Sequence, residues 1–142
     1  DNVSYLIAQF LGGVATKIAG TALTSQMSFF NDNGRVGYIG TSGSTTSYNT
    51  SSDARLKHDI VDAPSASSLI DAIQVRSFKW NADNSEQRFG MIAQELVEVA
   101  PEAVSQPEDP EEMMGVDYSK LVPMMLKELQ QLRARVAQLE GN

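Results

Sequence analysis

The chain of 142 residues contains no cysteine, which excludes disulfide bonds, thiolate metal sites and cysteine nucleophiles. Its single histidine, His58, excludes a metal site built from several histidines of one chain. No glycine-rich loop of the kind that holds nucleotide phosphates occurs either. We therefore expect the protein to use no metal and no cofactor.

Basic residues and long apolar runs are also scarce. The 11 lysines and arginines stand against 18 acidic residues, which gives a formal net charge of −7. An acidic chain repels nucleic acid and anionic lipid, and no apolar run is long enough to span a bilayer. We expect neither nucleic acid nor membrane as a partner. The sequence begins at Asp1 with neither an initiating methionine nor a secretory signal, and we expect it to be a piece of a longer polypeptide.

The N-terminal part of the chain shows signs of β-structure. A hydrophobic fraction of 42% is enough to build a core. Met27 to Phe30 and Val36 to Ile39 are patterned as short strands, and Asn33-Gly34 is a strong hairpin turn signal. The polar, nearly uncharged stretch from Thr41 to Ser52 has the composition of a linker or exposed loop.

Beyond this polar stretch, short helices and strands alternate, which indicates a small α+β domain. The segments PSASSLIDAIQV and ELVEVAPEAV predict short helices. The segments RSFKWN and RFGMIAQ predict two strands joined by a loop. We expect Phe78 and Trp80 to lie in the core, and Gly90 to mark a bulge or a close backbone approach.

The clearest periodic signal lies at the C-terminus, where apolar residues follow a heptad over three repeats. We call this set the seam: Tyr118, Val122, Met125, Leu129, Leu132, Val136 and Leu139. An amphipathic helix packed on its own domain needs only a 3.6-residue period, which drifts from the heptad by about 60° over this length. The strict spacing predicts a self-associating helix over residues 117–140, although valine and leucine at these positions do not fix the number of strands.

A serine and a lysine, Ser52 and Lys57, lie five positions apart where the polar stretch ends. A serine becomes a nucleophile when a base takes its proton, and lysine supplies that base where burial or a nearby cation favours the neutral amine. Arg55 is such a cation, and Asp53 can hold Lys57 or orient the peptide. Because five extended residues span about 17 Å, a turn or a second protomer must bring the amine to the hydroxyl.

The position of Ser52 favours attack on the carbonyl of its own neighbour, Ser51. An N-to-O acyl shift would form an ester, and water would complete a single-turnover cut in which proximity supplies most of the rate. Two alternatives stand beside this hypothesis. The sequence can be a turn without chemistry, or a serine–lysine hydrolase acting on outside substrates, for which no substrate pocket can be argued.

Four segments carry a family resemblance: SSDARLKHDI, SFKWN, RFGMIAQELVEVAPEAV and GVDYSKLVPMMLKELQQL. Their order and spacing resemble the C-terminal self-cleaving chaperone domain of bacteriophage tailspikes and tail fibres, the endosialidase-type intramolecular chaperone. The resemblance runs from about Ser51 to the C-terminus. The family's Ser-Asp-Xaa-Arg-Xaa-Lys motif stands here with Asp53 and Arg55 between Ser52 and Lys57.

The resemblance implies a single-turnover autocatalytic serine endopeptidase with Ser52 as nucleophile and Lys57 as base. The cut would fall between Ser51 and Ser52. It also implies a homotrimer, in which the domain registers three chains of an intertwined β-rich fibre and then releases itself. The partners would be two further copies of the chain and its own upstream fibre domain.

The implied architecture is a small mixed α+β domain with a C-terminal trimeric coiled coil, preceded by a β-rich fibre stem. Residues 1–51 would be the end of the stem, and residues 52–142 the chaperone, with the coiled-coil helix at 117–140. The fibre would enter the virion tail, and the chaperone would be released after synthesis in the infected host cytoplasm. A non-catalytic trimerisation and tip module is the alternative.

Overall fold

The computed structural model describes Thr16 and residues 19–141, and the chain divides into two compact units. One unit reaches to Ile60, and the other begins at Val61. Short strands occur together with helices, so the fold is α+β, as the sequence predicted. The rest of the stem segment before residue 19 lies outside the described residues. The predicted boundary between residues 51 and 52 depends on the predicted cut, and it stays a prediction.

The first unit is an antiparallel sheet of three strands in the order β1-β2-β3. Strand β1 spans Thr24–Asn31, β2 spans Gly34–Ser42 and β3 spans Thr45–Thr50. The predicted hairpin is confirmed by the pairing of β1 with β2. Several large apolar side chains of this sheet are exposed, including Phe30 and Tyr48. A three-stranded sheet with uncovered apolar residues is poorly stable alone, and the described residues of this unit form no layer that buries them.

The turn between β1 and β2 lies one residue earlier than the sequence indicated, at Asp32-Asn33. The backbone N–H of Asn33 donates to Asn31 Oδ1 at 2.9 Å, which closes the loop locally. Gly34 then takes a φ of 90°, a left-handed conformation that glycine adopts without steric cost. The glycine of the turn signal thus opens β2 rather than forming the loop itself.

The prediction of a linker from Thr41 to Ser52 is wrong, because most of this stretch forms β3 and the end of β2. Strand β3 pairs with β2 in an unbroken antiparallel register from Thr45 opposite Ser42 to Thr50 opposite Gly37. Its threonines are β-branched and suit a pleated surface. The stretch has the composition of a linker because it is polar and nearly uncharged. Its conformation is decided by cross-strand hydrogen bonds.

The second unit contains short helices, two small hairpins and one long helix. Its regular elements are helix α1 (Ser67–Ala72), strands β4 (Arg76–Lys79) and β5 (Glu86–Gly90), helix α2 (Ala93–Leu96), strands β6 (Val104–Ser105) and β7 (Gly115–Val116), and helix α3 (Val122–Glu140). Strand β4 pairs with β5, and β6 with β7, both antiparallel. The helix predicted in PSASSLIDAIQV and the predicted pairing of two strands are therefore confirmed. The bounds predicted for the next two elements are wrong: α2 begins at Ala93, inside the segment RFGMIAQ predicted as a strand, and ends at Leu96, so it covers only the first two residues of ELVEVAPEAV.

The core of the second unit is small. It consists of Leu96, Ala100, Ala103 and Leu121, with partly buried apolar residues around them. Two of these four are alanines, and no large side chain among the described residues is completely removed from solvent. Such a core leaves much of the unit's apolar surface uncovered.

The hairpin of β4 and β5 is closely packed at Gly90. This residue is buried, and a Cβ placed on it would meet Phe78 Cε1 at 2.6 Å. The predicted close approach is confirmed. Trp80, in contrast, is 55% exposed, so its prediction as a core residue is wrong. It lies one residue beyond the end of β4 and packs edge-to-face on Phe78, with ring centroids 5.4 Å apart.

The predicted C-terminal helix is confirmed as α3. A 3-10 turn at Tyr118–Leu121 precedes it, and Asp117 caps that turn by accepting a hydrogen bond from the backbone N–H of Ser119. Pro123 lies in the first turn of α3, where its missing N–H costs little. Tyr118, the first seam residue, therefore belongs to the 3-10 turn, where its hydroxyl accepts a hydrogen bond from Met91 N at 3.4 Å.

Substitution Gly90→Ala should destabilise the second unit, because the added methyl group meets the Phe78 ring. Overpacking of this kind costs about 1–3 kcal/mol in the free energy of unfolding. Gly115→Ala is the matched control, since its added Cβ would lie 3.9 Å from the nearest side chain, at Ser105. Urea unfolding of both variants measures the difference, and equal unfolding midpoints would contradict this account of the packing.

Candidate functional site

A short 3-10 turn at Ala54–Leu56 reverses the chain immediately after the sheet of the first unit. Asp53 is its N-cap, and its carboxylate accepts a hydrogen bond from the backbone N–H of Arg55 at 2.9 Å. The turn is closed by two backbone bonds, from Leu56 N to Asp53 O and from Lys57 N to Ala54 O, both 3.1 Å. An aspartate at an N-cap stabilises such a turn because it satisfies a backbone donor that would otherwise have no partner.

This turn brings the amine of Lys57 to the hydroxyl of Ser52. The Nζ atom lies 2.6 Å from Ser52 Oγ and 3.2 Å from the backbone oxygen of the same serine. The separation of about 17 Å in an extended chain is thus removed within one chain. The structure brings together the two side chains that the sequence singled out, at hydrogen-bonding distance and without a second protomer.

The two residues between them form a pair of their own. Arg55 donates from Nε to Asp53 Oδ1 at 2.9 Å and from a terminal nitrogen to Oδ2 at 2.8 Å. These bonds, with the backbone bond from Arg55, hold the pKa of the Asp53 carboxyl below its ordinary value. Asp53 was expected either to hold Lys57 or to orient the peptide. Because its carboxylate is bonded to Arg55, the geometry corresponds to the second role.

Ser51, on the other side of the predicted cut, is attached to the sheet. Its backbone N–H donates to the carbonyl of Val36 at 2.9 Å, which continues the β3–β2 ladder one residue beyond β3. Its hydroxyl donates to the carbonyl of Arg35, also at 2.9 Å. The peptide bond between Ser51 and Ser52 therefore lies between a residue fixed to β2 and a residue bonded to Lys57.

Sequence reasoning missed this attachment. The acceptors are main-chain atoms of β2, far away along the chain, and any residue type supplies a carbonyl oxygen. The one available signal was the strand character of the threonine-rich stretch before Ser51, which the linker-like composition concealed.

The whole site is open to solvent in a single chain. Residues 51–61 are all exposed, including the apolar side chains of Leu56, Ile60 and Val61. His58, to which the sequence gave no role, contacts Asp59 at 2.8 Å, and both side chains are more than 90% exposed. Leu56 and Ile60, in the same unit as Ser52 and Lys57, leave apolar surface of the kind that another chain covers.

The seam is also uncovered. Its six residues on α3 range from 45% exposure at Leu132 to 79% at Leu139. A neighbouring face of the same helix makes the second unit's own contacts, where Glu128 accepts a hydrogen bond from the Ser67 hydroxyl at 2.7 Å. The helix therefore packs on its own unit by one side while its seam lacks a partner within the part of the chain that the structure describes.

Over residues 19–141, no group of three or more acidic or histidine side chains is placed to hold a metal ion. No helix in the same range has the length and apolar character needed to cross a membrane.

Comparison with known proteins adds one finding. Residues 52–105 match a peptidase family model described as the chaperone of endosialidase. The match begins at Ser52, ends before α3 and covers less than half of the chain. No curated protein matches the chain significantly.

The pairing of Asp53 with Arg55 has a measurable consequence for titration. Because the folded pKa of Asp53 is depressed, the stabilisation of the turn is present above the ordinary aspartate range and is lost as pH falls through the lower folded value. Arg55→Ala should raise this pKa towards its ordinary value. Arg76→Ala, which removes a separate ion pair with Glu95, should leave it unchanged.

The measurement is a carbon-detected NMR titration of the Asp53 carboxyl in a Ser52→Ala background, which keeps the chain whole. An Asp53 pKa that does not respond to Arg55→Ala would show that the two hydrogen bonds between these side chains are not formed in solution.

Proposed function

We propose that this chain, whose residues 52–105 form an endosialidase-type chaperone domain, assembles three copies of a phage fibre or spike stem and then cuts itself off between Ser51 and Ser52. The observation that carries the proposal is the 2.6 Å contact between Lys57 Nζ and Ser52 Oγ. A hydroxyl and an amine at this distance, beside the bond to be cut, are the two groups that an intramolecular acyl shift requires.

In the first step, the neutral amine of Lys57 accepts the proton of Ser52 Oγ, and the oxygen attacks the carbonyl carbon of Ser51. The bond between that carbon and the nitrogen of Ser52 breaks, and the nitrogen takes the proton from the lysine. The product is an ester that joins Ser51 to the side chain of Ser52. Because nucleophile and carbonyl belong to adjacent residues, proximity lowers the barrier and no substrate pocket is needed.

In the second step, water attacks the ester carbonyl. Lys57 again acts as the base, and the bond between the carbonyl carbon and Ser52 Oγ breaks. This step leaves a carboxylate on Ser51 and restores the hydroxyl of Ser52 beside a new amino terminus. Each chain reacts once, so the enzyme is a single-turnover endopeptidase.

Assembly would complete the site. Lysine is a base only as a neutral amine, and burial favours that form. In a single chain both Ser52 and Lys57 are exposed, and so are the apolar side chains of Leu56 and Ile60 in the same unit. Association of three chains would cover these side chains and exclude water from the site. The cut would then be coupled to trimer formation.

The exposed seam on α3 supports self-association. A stripe of apolar residues at heptad spacing is buried when helices of several copies pack together. The small core of the second unit and the uncovered apolar residues of the sheet both leave surface for other chains to bury. Joining three helices would raise the local concentration of three stem strands and set their register. The family resemblance supports three copies rather than two.

The cut would make assembly irreversible. Strand pairing across chains forms slowly, so a helper that holds chains together is needed mainly during folding. Once the chaperone is released, the stem lacks the element that lowered the barrier between separate chains and the assembled stem. The stem then persists for kinetic reasons. The same seam would also serve a non-catalytic trimerisation module, and the occurrence of the cut separates the two functions.

Intact mass spectrometry of the expressed chain should find fragments that end at Ser51 and begin at Ser52. Ser52→Ala removes the nucleophile and should abolish both fragments. Lys57→Met removes the base and should do the same, and Lys57→Arg is the matched control for charge. Because arginine keeps its proton, it should also be uncut if Lys57 acts as a base.

Two results would contradict the catalytic proposal. Cleavage of Lys57→Arg at the rate of the unaltered chain would show that a positive charge at this position is enough for the cut, and that no base is needed there. A folded, trimeric chain that stays whole would show that residues 51–57 act only as a linker, which favours the non-catalytic module.

Charges placed in the seam should separate the copies. The double substitution Leu129→Glu and Leu132→Glu would bury two unpaired carboxylates at a helix interface. It should raise the concentration at which copies dissociate by at least about a hundredfold. Gln130→Glu, which adds one negative charge outside the seam, should have little effect. Sedimentation velocity distinguishes these outcomes, and equal sedimentation of both variants would contradict the role of the seam.

A further inference from the structure

We propose that Ser51 is a positioning residue, and that its two hydrogen bonds to β2 make the cut depend on the folded sheet of the stem. This inference deepens the proposed function and rests on it. It adds one requirement: the Ser51 carbonyl that Ser52 attacks must be held in place by the stem sheet, which the chaperone helps to assemble.

The geometry fixes Ser51 on two sides. Its backbone N–H is bonded to the Val36 carbonyl and its hydroxyl to the Arg35 carbonyl, each at 2.9 Å. Both acceptors belong to consecutive residues of β2, so they are correctly placed only when β2 is a formed strand alongside β3. Beyond Ser51 the chain leaves the sheet and enters the turn that holds Ser52 and Lys57.

The chemistry depends on this restraint. An acyl shift between adjacent residues requires the hydroxyl oxygen of Ser52 to approach the Ser51 carbonyl carbon along a narrow set of directions. The turn restrains the oxygen, and the sheet restrains the residue that carries the carbonyl. When β2 and β3 are unpaired, the second restraint is absent, the carbonyl rotates freely and the rate of attack falls. A chain with an unformed stem would therefore remain attached to its chaperone.

The ladder beside Ser51 is closely packed, which offers a way to disturb it from outside the site. Gly37 lies opposite Thr50, and a Cβ placed on Gly37 would meet the backbone oxygen of Asn49 at 2.7 Å. Because backbone atoms cannot move aside cheaply, Gly37→Ala should loosen the β2–β3 pairing next to Ser51. This substitution leaves Ser51, Ser52 and Lys57 unchanged.

The experiment follows cleavage of the full chain after dilution from denaturant, with samples quenched over time. Intact mass gives the first-order rate of cleavage, and native gels give the trimer fraction at each time. Ser51→Ala should cleave about three- to tenfold more slowly at an unchanged trimer fraction, which is the effect of losing one hydrogen bond in the reacting state. Ser51→Thr keeps the hydroxyl and should restore the rate to within about twofold.

Ser47→Ala is the matched control. It removes another β3 hydroxyl that contacts a β2 carbonyl, at 3.5 Å from Gly40 O, but it lies four residues from the cut. It should cleave at the rate of the unaltered chain. Gly37→Ala should slow cleavage while α3 still holds the copies together.

The inference is overturned if Ser51→Ala cleaves as fast as the unaltered chain, or if Ser51→Thr is as slow as Ser51→Ala. It is also overturned if Gly37→Ala loosens the sheet and leaves the cleavage rate unchanged. These results leave the proposed function standing as long as the unaltered chain is cut and Ser52→Ala is not. A folded, uncut parent chain would instead overturn the proposed function itself.

Discussion

The Asp53-capped turn at Ala54–Leu56 is the constraint on which the site depends. Without it, Ser52 and Lys57 would be separated by an extended peptide, and no other described contact joins them. The turn is stabilised by a side-chain cap, two backbone hydrogen bonds and the fork from Arg55. A segment of a few residues thus brings the Ser52 hydroxyl and the Lys57 amine together within one chain.

Much of this local arrangement could be read from the sequence. Sequence reasoning singled out Ser52 and Lys57 and required either a turn or a second protomer to join them, and residue types alone did not decide between the two. The α3 helix and the β4–β5 hairpin were predictable because periodicity and turn chemistry act locally. Gly90 was predictable as a close approach because a glycine inside a strand pattern has few other uses.

The failures have a common cause, which is that distant main-chain atoms decide the outcome. Strand β3 was predicted as a linker because its composition is polar, but the partner that makes it a strand is the backbone of β2. The attachment of Ser51 was invisible for the same reason. Trp80 was assigned to the core by residue type, yet its ring stays 55% exposed among the described residues.

The proposed account divides the work between the two units. The second unit would gather the copies through α3, and the first unit would contain the entire cutting site, from Ser51 to Lys57. The central claim is that one turn of one chain supplies both reacting groups. The most direct measurement coexpresses Ser52→Ala chains, which keep the lysine, with Lys57→Met chains, which keep the serine, at distinguishable masses. Native mass spectrometry first establishes that mixed trimers form. The account predicts that neither chain is cut in them, and cleavage of the Lys57→Met chain by its neighbour's lysine would contradict it.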